Sequence, residues 1–219
     1  MNEAGETDVP SSTRTNLLDA AERLFAEKGV EATSVRDITG AAGANQGAIN
    51  YHFQSKDKLV LEVFARRIKP VMGQSIAMLD ALEAARKKPS LEAVLGALIR
   101  PMVEDELNRE RKDEFKRLIS RSFQEPNADI KEFMARTFGE MILRFDTAIM
   151  RAVPGLSREG LFWPMHFMMG GMQHGLERWA RFDAMPFPPG LDVEKLRTDR
   201  EGFLQKLITF VAAGIRASV

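Results

Sequence analysis

The chain has 219 residues and a mass of 24.6 kDa, which suits one compact unit or two small ones with ample length for a core. Hydrophobic residues make up 44% and charged residues 28%, a balance that excludes a disordered chain and fits a soluble globular one. Lys and Arg number 31, as do Asp and Glu, so a protein basic throughout is excluded, whereas a local nucleic-acid surface is not.

Residues 1–11 read as a flexible arm, and helical periodicity begins near Ser12. Leu17, Ala21, Leu24 and Phe25 recur at helical spacing, and Lys28-Gly29 supplies a cationic last turn followed by a terminating glycine. Ser34-Val35-Arg36-Asp37 has the form of a capping box with Asp in place of Glu, opening a second short helix that ends near Gly43. A third helix is predicted from about Asn45 to Phe53, and Ser55 can cap a long fourth one whose apolar face includes Leu59, Val63 and Ile68. Pro70 is expected to kink or divide that helix. The connection Ala41-Ala42-Gly43-Ala44 has the length and the glycine of the turn in a helix-turn-helix.

Beyond Pro70 the spacing predicts helices near 72–87, 90–109, 112–124, 127–152, 157–182 and 193–217, with breaks at Pro89, Pro126, Pro154 and the run Pro186 to Gly190. The fold class expected is therefore all-α: a helix-turn-helix domain over residues 12–69, and a helical effector-binding and dimerisation domain over residues 70–219.

Between Ser11 and Lys69 there are 9 basic and 7 acidic residues, so charge balance alone says little and placement says more. Lys56 falls in the first turn of the fourth helix, where a cation opposes the helix dipole; a docked phosphate would justify it. In the third helix Ile49 and Phe53 lie four apart and should pack inward. Asn45, Gln46, Ala48 and Asn50 lie elsewhere; amides can pair with adenine edges, and an alanine methyl can meet a thymine methyl. Gly47 is costly inside a helix and suggests close approach of the DNA backbone or of the second helix. Tyr51 and His52 are suited to donating to phosphates, contacts that position rather than specify.

Thr33-Ser34-Val35-Arg36-Asp37-Ile38, Ala42-Gly43, Gly47, Tyr51-His52-Phe53, Ser55-Lys56 and Leu59, approached through Leu17 to Gly29, resemble the N-terminal domain of the TetR/AcrR family of transcriptional regulators. The resemblance covers about residues 14–68 with correct spacing throughout. It implies a domain that binds duplex DNA with its third helix in the major groove. By position it implies phosphate contacts from Thr33 or Ser34 and from Tyr51, His52 and Lys56. It places Asn45, Gln46, Ala48 and Asn50 at bases or nearby backbone, with Gly47 permitting close approach. Thr39, Ala44 and Asn50 depart from the family's usual residues, which bears on the operator sequence.

In the second domain Leu161, Met165, Met168, Met172, Leu176 and Trp179 form one stripe, and Leu204, Leu207, Ile208, Val211 and Ile215 another. Two such helices can pair with their copies in a second chain as a four-helix interface, the use the family makes of its last two helices, or be buried within one monomer. The 12 methionines, with phenylalanines at intervals, suit either an adaptable cavity or a plain core. Phe123, Phe145, Phe162, His166 and Met169 are the candidate ligand-lining residues. Leu161-Phe162-Trp163, His166 to Gly170 and Phe210 to Ala217 resemble the effector domain of a TetR subgroup that includes fatty-acid-responsive regulators. That implies an apolar or amphipathic acid as effector, a fatty acid or its coenzyme A ester being one candidate.

Cysteine is absent, which removes disulfides, thiolate metal sites and cysteine nucleophiles. His166 and His174 are eight apart, which turns them about 80° from each other on a helix and makes a poor chelating pair. No phosphate-binding loop, nucleophile elbow or cofactor signature appears, so neither an enzyme nor a cofactor is expected. No apolar run spans a bilayer, and the acidic, polar opening Met1–Pro10 lacks the features of a secretory signal, so the expected location is cytoplasmic. The reading is a homodimeric, ligand-responsive DNA-binding regulator, repression being what the family resemblance implies. A small-molecule sensor or carrier without specific operator binding is the alternative.

Overall fold

The structure, a computed structural model, describes residues 12–108, 128–180 and 187–219. The expected arm at residues 1–11 and the expected helix at 112–124 lie outside the described residues. Among the described residues every regular element is an α-helix: α1 (Thr13–Lys28), α2 (Val35–Ala41), α3 (Gly47–Phe53), α4 (Lys56–Ala84), α5 (Leu91–Asn108), α6 (Ala128–Ala152), α7 (Arg158–Ala180), α8 (Val193–Thr198) and α9 (Arg200–Arg216). They fall into two compact units, residues 12–68 with 128–135, and residues 69–108, 136–180 and 187–219.

In the first unit the caps set the helix boundaries. The Ser12 hydroxyl accepts from the Thr15 N–H at α1's start, and Gly29, at φ 89°, donates its N–H to the Phe25 carbonyl at α1's end. The capping box at Ser34 is formed in both directions, Ser34 Oγ accepting from Asp37 N and Asp37 Oδ2 accepting from Ser34 N. The Ser34 N–H first, and then the Ser34 hydroxyl, which donates to the same Oδ2 at 2.8 Å, hold the Asp37 carboxyl below its ordinary value. Gly43, at φ 64°, makes the turn between α2 and α3. Leu17, Leu24, Phe25, Ile38, Ile49, Phe53, Leu59 and Val63 close the core of this unit.

Pro70 neither ends nor divides α4, which runs unbroken from Lys56 to Ala84. The ring sits at an exposed position, and Pro101 and Pro164 are likewise carried inside α5 and α7. The helix expected at 193–217 is instead two. Asp199 ends α8 and caps α9, its carboxylate accepting from the Gly202 N–H at 2.8 Å.

The core of the second unit joins α4, α5, α6, α7 and α9 around Leu95, Ile99, Phe145, Ile149, Met168 and Ile208. α9 packs on both α5 and α7. Gly175 makes the second of these contacts possible, since a Cβ there would stand 2.9 Å from the Phe203 ring. Ion pairs hold the rim: Arg100 reaches both carboxylate oxygens of Glu201 at 2.8 Å, and Arg216 reaches Glu92 at 2.6 Å.

Candidate nucleic-acid interface

α3 divides along its length. Ala48, Ile49 and Phe53 are buried, whereas Asn45, Gln46, Gly47, Asn50 and Tyr51 are exposed and His52 is half-buried. Asn45 and Gln46 lie in the turn before α3, not inside it as the spacing had suggested. The Tyr51 ring is 84% exposed and meets His52 edge-on at 4.9 Å between centroids. The exposed ring and the three exposed amides of Asn45, Gln46 and Asn50 thus share the outer side of this region.

Burial corrects two expectations. Thr33 is fully buried, and its hydroxyl donates to the carbonyls of Gly29 (2.7 Å) and Leu24 (3.3 Å), which closes the loop after α1 and leaves nothing for a phosphate. Ala48 keeps only 8% of its exposure, so its methyl packs into the core and does not reach for a base. Ser34 is exposed at the start of α2. Gly47 is the first residue of α3, and a Cβ there would meet only the Asn45 side chain, at 3.3 Å. Packing against α2 therefore does not require the glycine.

Lys56 opens α4 and stretches back to the loop after α1, its Nζ donating to the Val30 carbonyl at 2.6 Å. An ammonium has three donors, so this bond fixes the charge in place and leaves two for an anion. Three features were not foreseen. Gln54 ends α3 at φ 69°, a left-handed conformation, with its side chain accepting from Lys58. Arg14 lies over the Phe53 ring, 5.2 Å from its centroid, and pairs with Glu62. Glu22 is a buried acid in the apolar face of α1, bonded to Arg66 at 2.5 Å and Arg67 at 2.6 Å, with Arg66 also reaching Asp19 at 2.7 Å. An acid among Leu18, Ala21 and Phe25 was the visible signal; its partners lie 44 and 45 residues away, beyond any local pattern.

In the second unit the two stripes predicted for pairing between chains are spent inside the monomer. Leu161, Met168, Met172 and Leu176 of α7 and Leu204, Leu207, Ile208, Val211 and Ile215 of α9 are all buried in its core. The same two helices carry a second apolar face in water: Phe162, Trp163, Phe167 and Met169 on α7, and Phe210 on α9. Trp163 stacks on Phe167, and Gly170, Gly171 and Gly214 have open space where a Cβ would stand. Of the residues expected to line a ligand cavity, Phe145 is buried in the core, Phe162, His166 and Met169 lie on this exposed face, and Phe123 falls outside the described residues. His166 Nδ1 stands 2.8 Å from the Phe162 carbonyl. No helix among the described residues is long and apolar enough to cross a membrane.

Comparison with known proteins gives this arrangement a family. Residues 17–63 match the family model for bacterial regulatory proteins of the tetR family, and residues 96–214 match the one for the tetracyclin repressor-like C-terminal domain. The chain is similar to the transcriptional repressor KstR2 of Rhodococcus jostii (strain RHA1), 44% identical over 71 residues that make up 32% of this chain and 35% of that protein. It is similar to the transcriptional repressor AcnR of Corynebacterium efficiens, 37% identical over 79 residues, 36% of this chain and 42% of that one. The matched segments thus span less than half the length of these curated relatives. Over most of its length the chain shares its fold with NalD, the secondary repressor of the MexAB-OprM multidrug efflux pump in Pseudomonas aeruginosa (TM-score 0.57, 27% identity, 90% and 94% of the two chains). The same holds for the fatty acid degradation regulator FadR from Bacillus halodurans (TM-score 0.65, 14% identity, 98% and 99%). With a capped helix-turn-helix under one family model and more than half of its length under the companion one, the chain belongs to the TetR family of transcriptional regulators.

Proposed function

We propose that the chain binds a roughly palindromic operator as a homodimer and releases it when a small effector binds the second unit. The observation that carries this reading is the outward face of α3 and its preceding turn, where Asn45, Gln46 and Asn50 stand beside the exposed Tyr51 on a capped scaffold. The amides read base edges, while Ser34, Tyr51, His52 and Lys56 hold phosphates and set the register. Thr33 and Ala48 support the scaffold from inside. Most of the affinity comes from phosphate contacts and falls with salt.

The dimer is assigned to the outer faces of α7 and α9. Their aromatic side chains and open glycines suit close packing against a second copy, and twofold symmetry then matches the palindrome. This assignment gives Phe162, His166 and Met169 to the partner subunit in place of the effector. The effector class we assign is an apolar or amphipathic acid, with fatty acids and their coenzyme A esters first, on the resemblance of residues 161–170 and 210–217 to the fatty-acid-responsive subgroup. The effector acts by population shift, so it must bind the DNA-incompetent state better.

The test is a fluorescence-anisotropy titration of the protein against the DNA upstream of its own coding sequence and against a random duplex pool, with scrambled competitor. Saturable binding that survives the competitor is the expected result. Equal affinity for every duplex overturns the operator reading and promotes a sensor or carrier. Release of the bound duplex by acyl chains, and not by matched neutral alcohols, tests the effector class.

A further inference from the structure

A recess of about 380 Å³ opens where the connection between α4 and α5 meets the last turn of α6. Its lining combines small side chains, Ala85, Ala148 and Ala152, with three cations, Lys87, Lys88 and Arg151. One carboxylate, Glu83, also lines it. That acid is already engaged: its Oε2 lies 2.9 Å from Arg144, which also holds Asp80 at 2.5 Å, whereas Arg151 stands 3.8 Å from Glu83 Oε1. Four cations face two carboxylates in this cluster, a balance of plus two within a chain whose net charge is zero.

Helix dipoles account for part of this. Arg151 lies in the last turn of α6, where a cation complements the helix end. Lys87 and Lys88 lie beyond Ala84, the end of α4, and that effect fades within the last turn. Among the described residues neither lysine has a carboxylate partner. Two compact, exposed ammonium charges and an exposed guanidinium fork beside alanines in one recess are the donor set for phosphoryl oxygens.

We propose that this recess is a binding site for a small phosphorylated molecule carrying two phosphoryl groups or a diphosphate. The site lies wholly within the second unit, and its test needs no DNA, so its failure and that of the operator reading are separable.

The experiment is isothermal titration of the full chain with inorganic pyrophosphate and, in parallel, orthophosphate, at low ionic strength. Pyrophosphate is expected to bind saturably and about tenfold more tightly than orthophosphate. The double variant Lys87→Ala, Lys88→Ala and the single variant Arg151→Ala should each weaken it by at least about tenfold, the more so the lower the salt. Lys195→Ala, an exposed cation on α8, should leave it unchanged. Circular dichroism of each variant confirms that the helices are intact. Absence of saturable binding up to about 5 mM, or equal affinity in the double variant, overturns the site. Equal affinity for the two anions overturns the diphosphate assignment.

Discussion

Replacing Glu22 by Gln tests whether a buried charge cluster holds α1 to α4 in the DNA-binding unit. The Glu22 side chain keeps only 4% of its exposure and makes two charge-assisted bonds, at 2.5 Å to Arg66 and 2.6 Å to Arg67. Such bonds contribute about 1.5–3 kcal/mol each. The amide can still accept from one guanidinium, but its NH2 then points at the other as a second donor. Arg66 keeps Asp19, and Arg67, whose side chain is 34% exposed, regains water, which limits the loss. The net cost expected is about 2–4 kcal/mol, below the about 3–5 kcal/mol of breaking a fully buried pair because both guanidiniums are partly exposed. Urea unfolding read by hydrogen exchange on peptides from α1 and from residues 56–68 isolates this unit from the rest of the chain. At a slope of about 1–2 kcal/mol/M the midpoint should fall by more than about 1 M. Asp19→Asn, whose carboxylate is 54% exposed, is the control and should cost about 0–1 kcal/mol. A loss below about 0.5 kcal/mol in Glu22→Gln would refute the reasoning, since that is the range of an unengaged surface residue.

Four further outcomes are expected. Lys56→Ala should weaken binding to all duplexes alike and lower the salt slope by about one, whereas Asn50→Ala should shift preference at particular base pairs; anisotropy across a salt series and an operator-variant panel separates the two. Phe167→Asp with Phe210→Asp should convert a dimer into monomers in sedimentation while the helical signal stays constant, and an unchanged dimer would place the interface elsewhere. Gly175→Ala forces a Cβ to within 2.9 Å of Phe203 and should cost about 1–3 kcal/mol in thermal unfolding, whereas Gly171→Ala, which meets nothing within 4 Å, should leave the monomer's own packing intact. Arg100 holds the Glu201 carboxyl at about 2, below its ordinary 4.5, so the pair supports the fold above pH 4.5 and that support is lost as pH falls toward 2. Glu201→Gln should flatten the acid limb of the unfolding curve over that window, and an unchanged limb would remove the pair from the balance.

What was legible in the sequence was whatever is decided within one helical turn. Ser34 with Asp37, Gly29 and Gly43 fixed the ends of α1 and α2 because capping is a contact three or four residues long. Asp199 carried the same kind of signal, a carboxylate three residues before Gly202, and it divides α8 from α9 in a stretch whose apolar spacing ran on regardless. Pro70 does not divide α4 because a lost backbone bond is a local cost, and the rest of a 29-residue helix outweighs it. Thr33 and Ala48 look like surface residues in a motif, and only the packing of α1 against α2 and α3 reveals them as interior. The stripes of α7 and α9 had the right residues and the wrong destination. Periodicity identifies an apolar face, but a helix with two such faces does not say which is covered by its own chain.

The two tryptophans occupy opposite kinds of place. Trp179 is half-buried against Phe203, 5.3 Å between ring centroids, whereas Trp163 is 61% exposed on the outer face of α7. Emission from Trp163 therefore reports on water at that face, and emission from Trp179 on the interior of a single chain. With Trp179→Phe as background, dissociation of the proposed dimer on dilution should move the emission maximum to longer wavelength as the face becomes wet, and an unchanged maximum would place the interface elsewhere. On the proposed α7 and α9 dimer, Trp163 is thus an optical gauge of assembly, readable in the same cuvette as the DNA titration and without a label.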